Sequence, residues 1–465
     1  MTATRRARTA LLLSLAALLS PHAAHGQQGR PPLGTPKAFR LPPHRTLTLA
    51  NGLQITLVHF GTVPKAVVSL QVFTGAIDEP SFAPGLAQLM ADMFMQGSVI
   101  RSSEQLASEA ADLGGTIDAS AGAVAMTIGG EVLSDNVGRY LSLVADVVRR
   151  PRLDKEDFER VRQNAIRGLA ITMQNAADQA RKQFRLALFP DHPFGTPYSH
   201  ESTLKSLQLG HLRNFFDQHI GASRAHLYIS GVFDDAAVES ATKRAFIDWT
   251  RGSATTPHPA TPVARRQLDL VDRPDAPQST LWIGLPVATP ASPDFIPLQV
   301  TDALLGGTFG SRITRNLRED KGYTYSPYSV IWAHGGTAYW VETADVTTKD
   351  TGNSLKEIFD EIERLRAEPP PADELEGIKQ NIAGLFVLRN SSRQGVVNQL
   401  EYVDEHGLGE RYLTDYVGNV LAVRPADVQR MAASQLDPAR MTITVVGDRK
   451  TVEAQVAPYR PAVIP

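Results

Sequence analysis

The sequence predicts an α+β protein made twice over: two homologous domains from an internal duplication, each a mainly antiparallel sheet with helices packed on one face. Three observations predict it. The stretch 251–265 has no apolar periodicity and carries Pro257, Pro259 and Pro262, so it reads as a linker between a domain over 40–250 and another over 266–460. Each domain closes on the same strand pattern, Arg224-Ala225-His226-Leu227-Tyr228-Ile229-Ser230-Gly231 in the first and Arg440-Met441-Thr442-Ile443-Thr444-Val445-Val446-Gly447 in the second. Upstream, Arg162-Gln163-Asn164 on one long helix is answered by Lys379-Gln380-Asn381 on another at nearly the same offset, and duplication accounts for both matches.

The elements follow in order. Arg5, Arg6 and Arg8 precede an apolar run from Ala10 to Leu19, then Pro21 and small residues at Ala24 and Gly26. Residues 1–26 are expected to be a signal peptide cleaved near Gly26, because the apolar run is about half of what a membrane-spanning helix requires. Export to the periplasm of a Gram-negative cell, with no membrane anchor after cleavage, is the expectation. An Asn51-Gly52 hairpin joins strands around Leu47 and from Leu53 to Val58, and Val67 to Phe73 is a third strand. Helical periodicity runs from Pro84 to Met95, Ser103 to Leu113, Leu133 to Val148, and over one long helix from Asp154, its N-cap, to Leu188. The second half repeats the order: a strand from Thr280 to Leu285, a helix from Phe295 to Leu305, and paired strands over Tyr323 to Trp332 and Gly336 to Thr343.

Composition excludes some functions. With 47 basic and 49 acidic residues the net charge is -2, and loss of the three leader arginines makes it -5, so nucleic acid is not an expected partner. There is no cysteine, hence no disulfide and no thiol for lipid attachment. Gly306-Gly307-Thr308-Phe309-Gly310 lacks the Gly-Lys-Ser or Gly-Lys-Thr ending of a phosphate loop. His211 and His219 are two turns apart, too far to share an ion without a bend, and His192 sits in a Pro190-Asp191-His192-Pro193 loop that reads as structural.

Gly85-Leu86-Ala87 opens a helix that continues Gln88-Leu89-Met90-Ala91-Asp92, and the later segment Leu317-Arg318-Glu319-Asp320-Lys321-Gly322-Tyr323-Thr324-Tyr325-Ser326 follows the glycine cluster. With the Pro-Asp-His-Pro loop, these stretches resemble the insulinase (pitrilysin) family of metallopeptidases, which includes the mitochondrial processing peptidase subunits. Active members carry His-x-x-Glu-His on the helix, where two imidazoles one turn apart bind Zn²⁺ and the carboxylate between them activates water. Laid on this chain, the histidine positions fall on Gln88 and Asp92 and the glutamate position on Ala91. The resemblance places a further glutamate ligand near 167–169, and no glutamate occurs between Glu159 and Glu201. An amide is a poor zinc ligand and alanine accepts no proton.

The resemblance therefore implies no metal and no catalytic residue on this chain alone, with zinc expected on a partner. It also implies that Arg318 and Tyr325, seven residues apart, bind a peptide substrate. A guanidinium and a phenol can hold a scissile carbonyl and stabilise the oxyanion formed on it. Read without that frame, Arg318 can pair with Glu319 or Asp320 on a helix end, and Tyr325 can be one aromatic of a strand. The expected function is a non-catalytic subunit of a heterodimeric periplasmic zinc metallopeptidase, acting with a zinc-bearing insulinase-family subunit on peptides. A catalytically inert peptide-binding or scaffold protein is the alternative.

Overall fold

Asn51 and Gly52 lie in the turn that folds β1 (His44–Thr48) back on β2 (Gln54–His59), with Gly52 at a φ of 97° that side chains rarely adopt. The computed structural model describes residues 39–256 and 258–461; the leader expected at 1–26 lies outside them. Four more strands complete the first sheet: β3 (Lys65–Val72), β4 (Asp118–Ala121), β5 (Met126–Leu133) and β6 (Ala225–Gly231). A second sheet contains β7 (Gln267–Asp272), β8 (Gln278–Pro286), β9 (Tyr328–His334), β10 (Thr337–Thr347) and β11 (Thr442–Gly447).

The strand orders are β1-β2-β6-β3-β5-β4 and β7-β11-β8-β10-β9. Apart from the extra edge strand β1, the two orders superimpose: β2 answers β7, β6 answers β11, and so to the edges β4 and β9. The single parallel pair of each sheet falls at the same place, β2 with β6 and β11 with β7. The repeat read from Arg162 and Lys379 also has a shared chemistry. Arg162 donates to the carbonyls of Lys205 and Leu207 at 3.0 and 2.9 Å, and Lys379 to those of Leu421 and Val423 at 2.9 and 3.4 Å.

Helices α1 (Leu86–Phe94), α2 (Ser103–Asp112) and α3 (Val137–Arg149) contribute to a core on one face of the first sheet, as expected. The expected long helix is in fact two, α4 (Lys155–Thr172) and α5 (Ala176–Leu188). Asp154 caps the first by accepting from the Asp157 amide at 2.8 Å, and Asn175 caps the second by accepting from Ala177 at 2.9 Å. After α6 (Leu209–His219) and α7 (Asp235–Phe246), the second half supplies α8 (Phe295–Leu305), α9 (Thr351–Ala367), α10 (Ala372–Arg389) and α11 (Arg393–Glu405). The break between α10 and α11 answers that between α4 and α5, with Ser392 as the second cap.

These breaks have a consequence for the layering. Each sheet carries helices of its own half on one face, and among the described residues a helix of the other half packs on its second face. Phe184 and Leu188 of α5 pack with Trp282, Tyr339 and Val341 of the second sheet, while Val396, Val397 and Leu400 of α11 pack with Val58, Val67 and Tyr228 of the first. β6 and β11 are buried along their whole length, as strands covered on both faces must be. Phe184 is fully buried between Trp282 and Tyr339, with ring centroids 5.6 and 5.5 Å away, a burial that stabilises by about 1.5–3 kcal/mol. Among the described residues no helix is long and apolar enough to cross a membrane.

Candidate functional site

Helix α1 begins where Gly85 takes a φ of 94°, and the Glu79 carboxylate receives the backbone N–H groups of Gly85 and Ala87, both at 2.8 Å. That carboxylate closes the helix start in the way an N-cap does, satisfying amides that the helix itself cannot. Burial pushes the Glu79 carboxyl up to about 7, against the opposing pull of the two amides. Glu79 stands six residues before Gly85, a spacing outside any N-cap pattern, so the sequence did not single it out.

The helix turns Leu86, Leu89, Met90, Met93 and Phe94 into the first core, which leaves Gln88 and Asp92 on its polar face. Gln88 Nε2 donates to Asp92 Oδ1 at 2.8 Å. Burial raises the Asp92 carboxyl, and the bond from Gln88 opposes that rise. Ala91 is completely buried, so the position of a water-activating carboxylate is a methyl group packed in protein. Across from α1, Leu169 of α4 packs against the first core, while Arg167 faces solvent and bonds Asn164 of its own helix. Gln96 Oε1, just past α1, accepts from Arg160 of α4 at 2.9 Å. An amide, a methyl group, one carboxylate already engaged and a leucine do not make a zinc site. Among the described residues no group of three or more metal-ligating side chains occurs.

The second half holds the other expected residues. From Arg312 to Asp320 the chain makes a short helix that widens into a π-helical turn, with the Lys321 amide reaching the Asn316 carbonyl at 3.0 Å. Arg312 anchors the turn through two bonds to Glu374 at 2.9 and 2.6 Å, and Asn316 reaches Glu357 and Glu361 at 3.0 and 2.9 Å. Arg318 lies in the widened part. Its Nε donates to Glu319 at 2.7 Å, and its guanidinium carbon stands 3.7 Å from the ring centroid of Phe309, a stacking distance. Phe309 is 80% exposed, so the stack is presented at the surface. Phe309, hidden between glycines in the sequence, is the residue of this region that motif reading passed over.

Tyr325 was expected on a strand, and it is instead on the loop before β9. Thr324 makes one isolated bridge to Val346, then Pro327 interrupts pairing because it has no N–H to donate, and the strand starts at Tyr328. Tyr325 is 85% exposed. Gln88 and Asp92 are thus joined directly, and Arg318 is joined to Phe309 and Glu319. Among the described residues no hydrogen bond or ion pair links either group to the other. The three histidines weighed above make local contacts: His211 Nδ1 accepts from the Gln208 amide at 3.2 Å, His192 Nδ1 from that of Phe194 at 3.1 Å, and His219 Nδ1 is 2.8 Å from Arg224 Nη1.

In sequence and in fold the chain is similar to known proteins. A family model described as insulinase (peptidase family M16) matches residues 55–198, and one described as the peptidase M16 inactive domain matches residues 206–382. Several bacterial proteins bearing the name uncharacterized zinc protease are similar to the chain. That of Rickettsia bellii is 25% identical over 336 residues, covering 69% of this chain and 80% of its own length. That of Mycobacterium bovis is 28% identical over 382 residues, covering 78% and 82%. A crystal structure of a peptidase M16 inactive domain from Pseudomonas fluorescens superimposes with a TM-score of 0.81 at 20% identity, covering 87% of this chain and 98% of its own. The crystal structure of a protease from Helicobacter pylori gives 0.83 at 18% identity, covering 88% and 100%. These likenesses of structure concern the fold.

Proposed function

The chain belongs to the insulinase family, peptidase family M16, and from that premise we propose that it is the zinc-free subunit of a heterodimeric periplasmic metallopeptidase. The observation that carries the reading is the Gln88–Asp92 hydrogen bond, with buried Ala91 between, where the family's active members hold metal and base. Gln88 and Asp92 bond each other across one turn, and neither offers the imidazole that the family's zinc takes at these positions. In this reading the zinc belongs to a partner subunit, and this chain closes the chamber around the peptide.

Arg318 and Tyr325 are its contribution to the shared site. The Phe309 ring holds the guanidinium in a fixed plane, and Glu319 takes only its Nε–H, which leaves the terminal N–H groups to hold a peptide carbonyl. Tyr325, on an exposed loop, offers a phenol O–H to the same oxygen. Donors placed ahead of time stabilise negative charge developing on that oxygen more than they stabilise the neutral carbonyl. The test is reconstitution with a zinc-bearing insulinase-family chain from the same source. Partner alone is weak, this chain alone is inert, and the mixture cleaves peptides. Equal activity of the partner with and without this chain rejects the proposal.

The pairing of Arg318 with Glu319 favours a second reading, in which the arginine is a structural surface residue and the chain is an inert peptide-binding or scaffold protein. Arg318→Ala in the mixed complex separates the two: turnover falls in the first and is unchanged in the second.

A further inference from the structure

Helix α5 does not cover the whole second face of the β7–β11 sheet. Beside it lies a cavity of about 550 Å³, lined by Arg181, Arg185, Trp282, Gln299, Trp332 and Tyr339 among others. Its walls are aromatic: Trp332 stacks on Tyr339 with centroids 5.1 Å apart. Two guanidinium groups lie against them, Arg185 at 4.7 Å from the Trp332 ring and Arg181 at 5.5 Å from that of Trp282.

The two arginines differ in one respect. Arg181 is matched by Asp178 at 3.2 Å and bonds the Tyr198 hydroxyl at 2.7 Å. Arg185 has no carboxylate beside it among the described residues, and burial lowers its affinity for its proton. Its Nε is buried without a hydrogen-bond partner, and the same is true of Trp282 Nε1 and Gln299 Oε1. Buried polar atoms are satisfied in more than about nine cases in ten, and here three unpartnered ones belong to residues that line one cavity beside an unpaired guanidinium.

The chemistry of the missing partner can be read from the set. An uncompensated cation and two N–H donors call for a carboxylate. Three aromatic walls call for an apolar body next to it. Gln299 Oε1 calls for a donor, which the amide N–H of a peptide's last residue supplies. We propose that this cavity binds the carboxylate of an apolar organic acid, the C-terminal residue of a peptide being the form that also engages Gln299. The proposal does not rest on the pairing with a zinc-bearing partner, since the isolated chain contains the whole cavity.

Trp282 and Trp332 are two of the four tryptophans, so intrinsic fluorescence of the full chain reads the cavity directly. N-acetyl-L-phenylalanine is expected to quench it saturably, and its C-terminal amide to bind at least ~10-fold more weakly. Arg185→Met should bring acid and amide to equal affinity, and Arg185→Lys should keep the preference for the acid. Trp282→Phe, which removes the indole donor and keeps a ring, should weaken acid binding by ~3-fold or more while Trp332 still reports. Preference for N-acetylphenylalanine over 3-phenylpropionate assigns the site to peptide C-termini, and equal affinity assigns it to free organic acids. No saturable quench up to ~10 mM ligand, or equal binding of acid and amide by the unsubstituted chain, overturns the proposal.

Discussion

Gln88 Nε2 and Asp92 Oδ1 are 2.8 Å apart across one turn of α1, so the two positions that would carry metal-binding imidazoles bind each other. Replacing both with histidine restores the ligand pair without restoring the chemistry. The variant Gln88→His/Asp92→His is expected to bind Zn²⁺ ~10-fold or more tightly than the unsubstituted chain, by chelator competition, because residues four apart on a helix can share one ion. Peptidase activity should stay at background, since position 91 supplies no base and the stretch 167–169 supplies no carboxylate. Measurable cleavage by the double variant alone would contradict the division of labour proposed above.

The Arg318–Phe309 stack yields a graded prediction. In a complex reconstituted with a zinc-bearing subunit, Arg318→Ala should lower kcat/KM by ~10–100-fold, as loss of a donor to a developing oxyanion does. Phe309→Ala removes only the surface that orients the guanidinium and should cost less, ~3–10-fold. Tyr325→Phe deletes one hydroxyl from an exposed loop and leaves assembly unchanged by size-exclusion chromatography. If the three variants assemble and turn over like the parent complex, Arg318 is a surface ion-pair residue and nothing more.

Glu342 makes stability depend on pH. It is fully buried, neither carboxyl oxygen has a hydrogen-bond partner, and burial with the nearby Asp302 charge raises its carboxyl well above 4.5. Asp302, bonded by Ser329 and Trp340, is itself pushed up to about 6 by burial. The folded chain therefore holds the proton longer than the unfolded one. The stability associated with Glu342 is present below the unfolded value of 4.5 and lost as pH rises toward the folded one, by at most about 1.4 kcal/mol per pH unit. Glu342→Gln keeps the shape and cannot ionise. In urea unfolding it should match the parent within ~1 kcal/mol near pH 4 and exceed it by ~1–3 kcal/mol near pH 8. A difference that is flat across that range would contradict a proton held at this position.

What the sequence made legible is what short range determines. The Asn51-Gly52 turn, the Asp154 cap, the start of α8 at Phe295 and the repeated strand patterns all come from neighbours in the chain. The resemblance to the family laid its metal and base positions on Gln88, Ala91 and Asp92, and helical spacing then put Gln88 and Asp92 one turn apart on one face. The break at 173–175 was not, since apolar periodicity runs on through it and only Asn175 marks the restart. The strand at Tyr325 was expected to begin too early because Pro327, two residues downstream, delays pairing to Tyr328. The exchange of α5 and α11 between halves, and the cavity that joins Arg185 to Trp282 and Trp332, depend on residues about a hundred or more positions apart in sequence. No local pattern encodes such a meeting.

That exchange has a polar lock that can be tested. Asp404 of α11 accepts from the Tyr228 hydroxyl of β6 and lies 2.8 Å from His226 Nδ1, while Glu401 accepts from Ser69 at 2.6 Å. Further along the same helix, Arg393 bonds Glu131 of β5 at 2.9 and 2.5 Å. Burial alone would raise the Asp404 carboxyl, and the contacts from His226 and Tyr228 outweigh it and hold it below its ordinary value. Its stabilisation is accordingly present above the unfolded value and lost as pH falls through the folded one. Asp404→Ala strands a buried phenol and a buried imidazole and should cost about 1–3 kcal/mol in urea unfolding at neutral pH. Asp404→Asn keeps an acceptor for Tyr228 and should cost less, and the parent's advantage over it should shrink as pH drops below about 4. Because α11 carries the second half's apolar contacts to that face, Val396, Val397 and Leu400, loosening it should also raise proteolytic cleavage between α10 and α11 around Asn390. An Asp404→Ala chain as stable and as protease-resistant as the parent would mean that the apolar contacts of Val396, Val397 and Leu400 hold the two halves together without it.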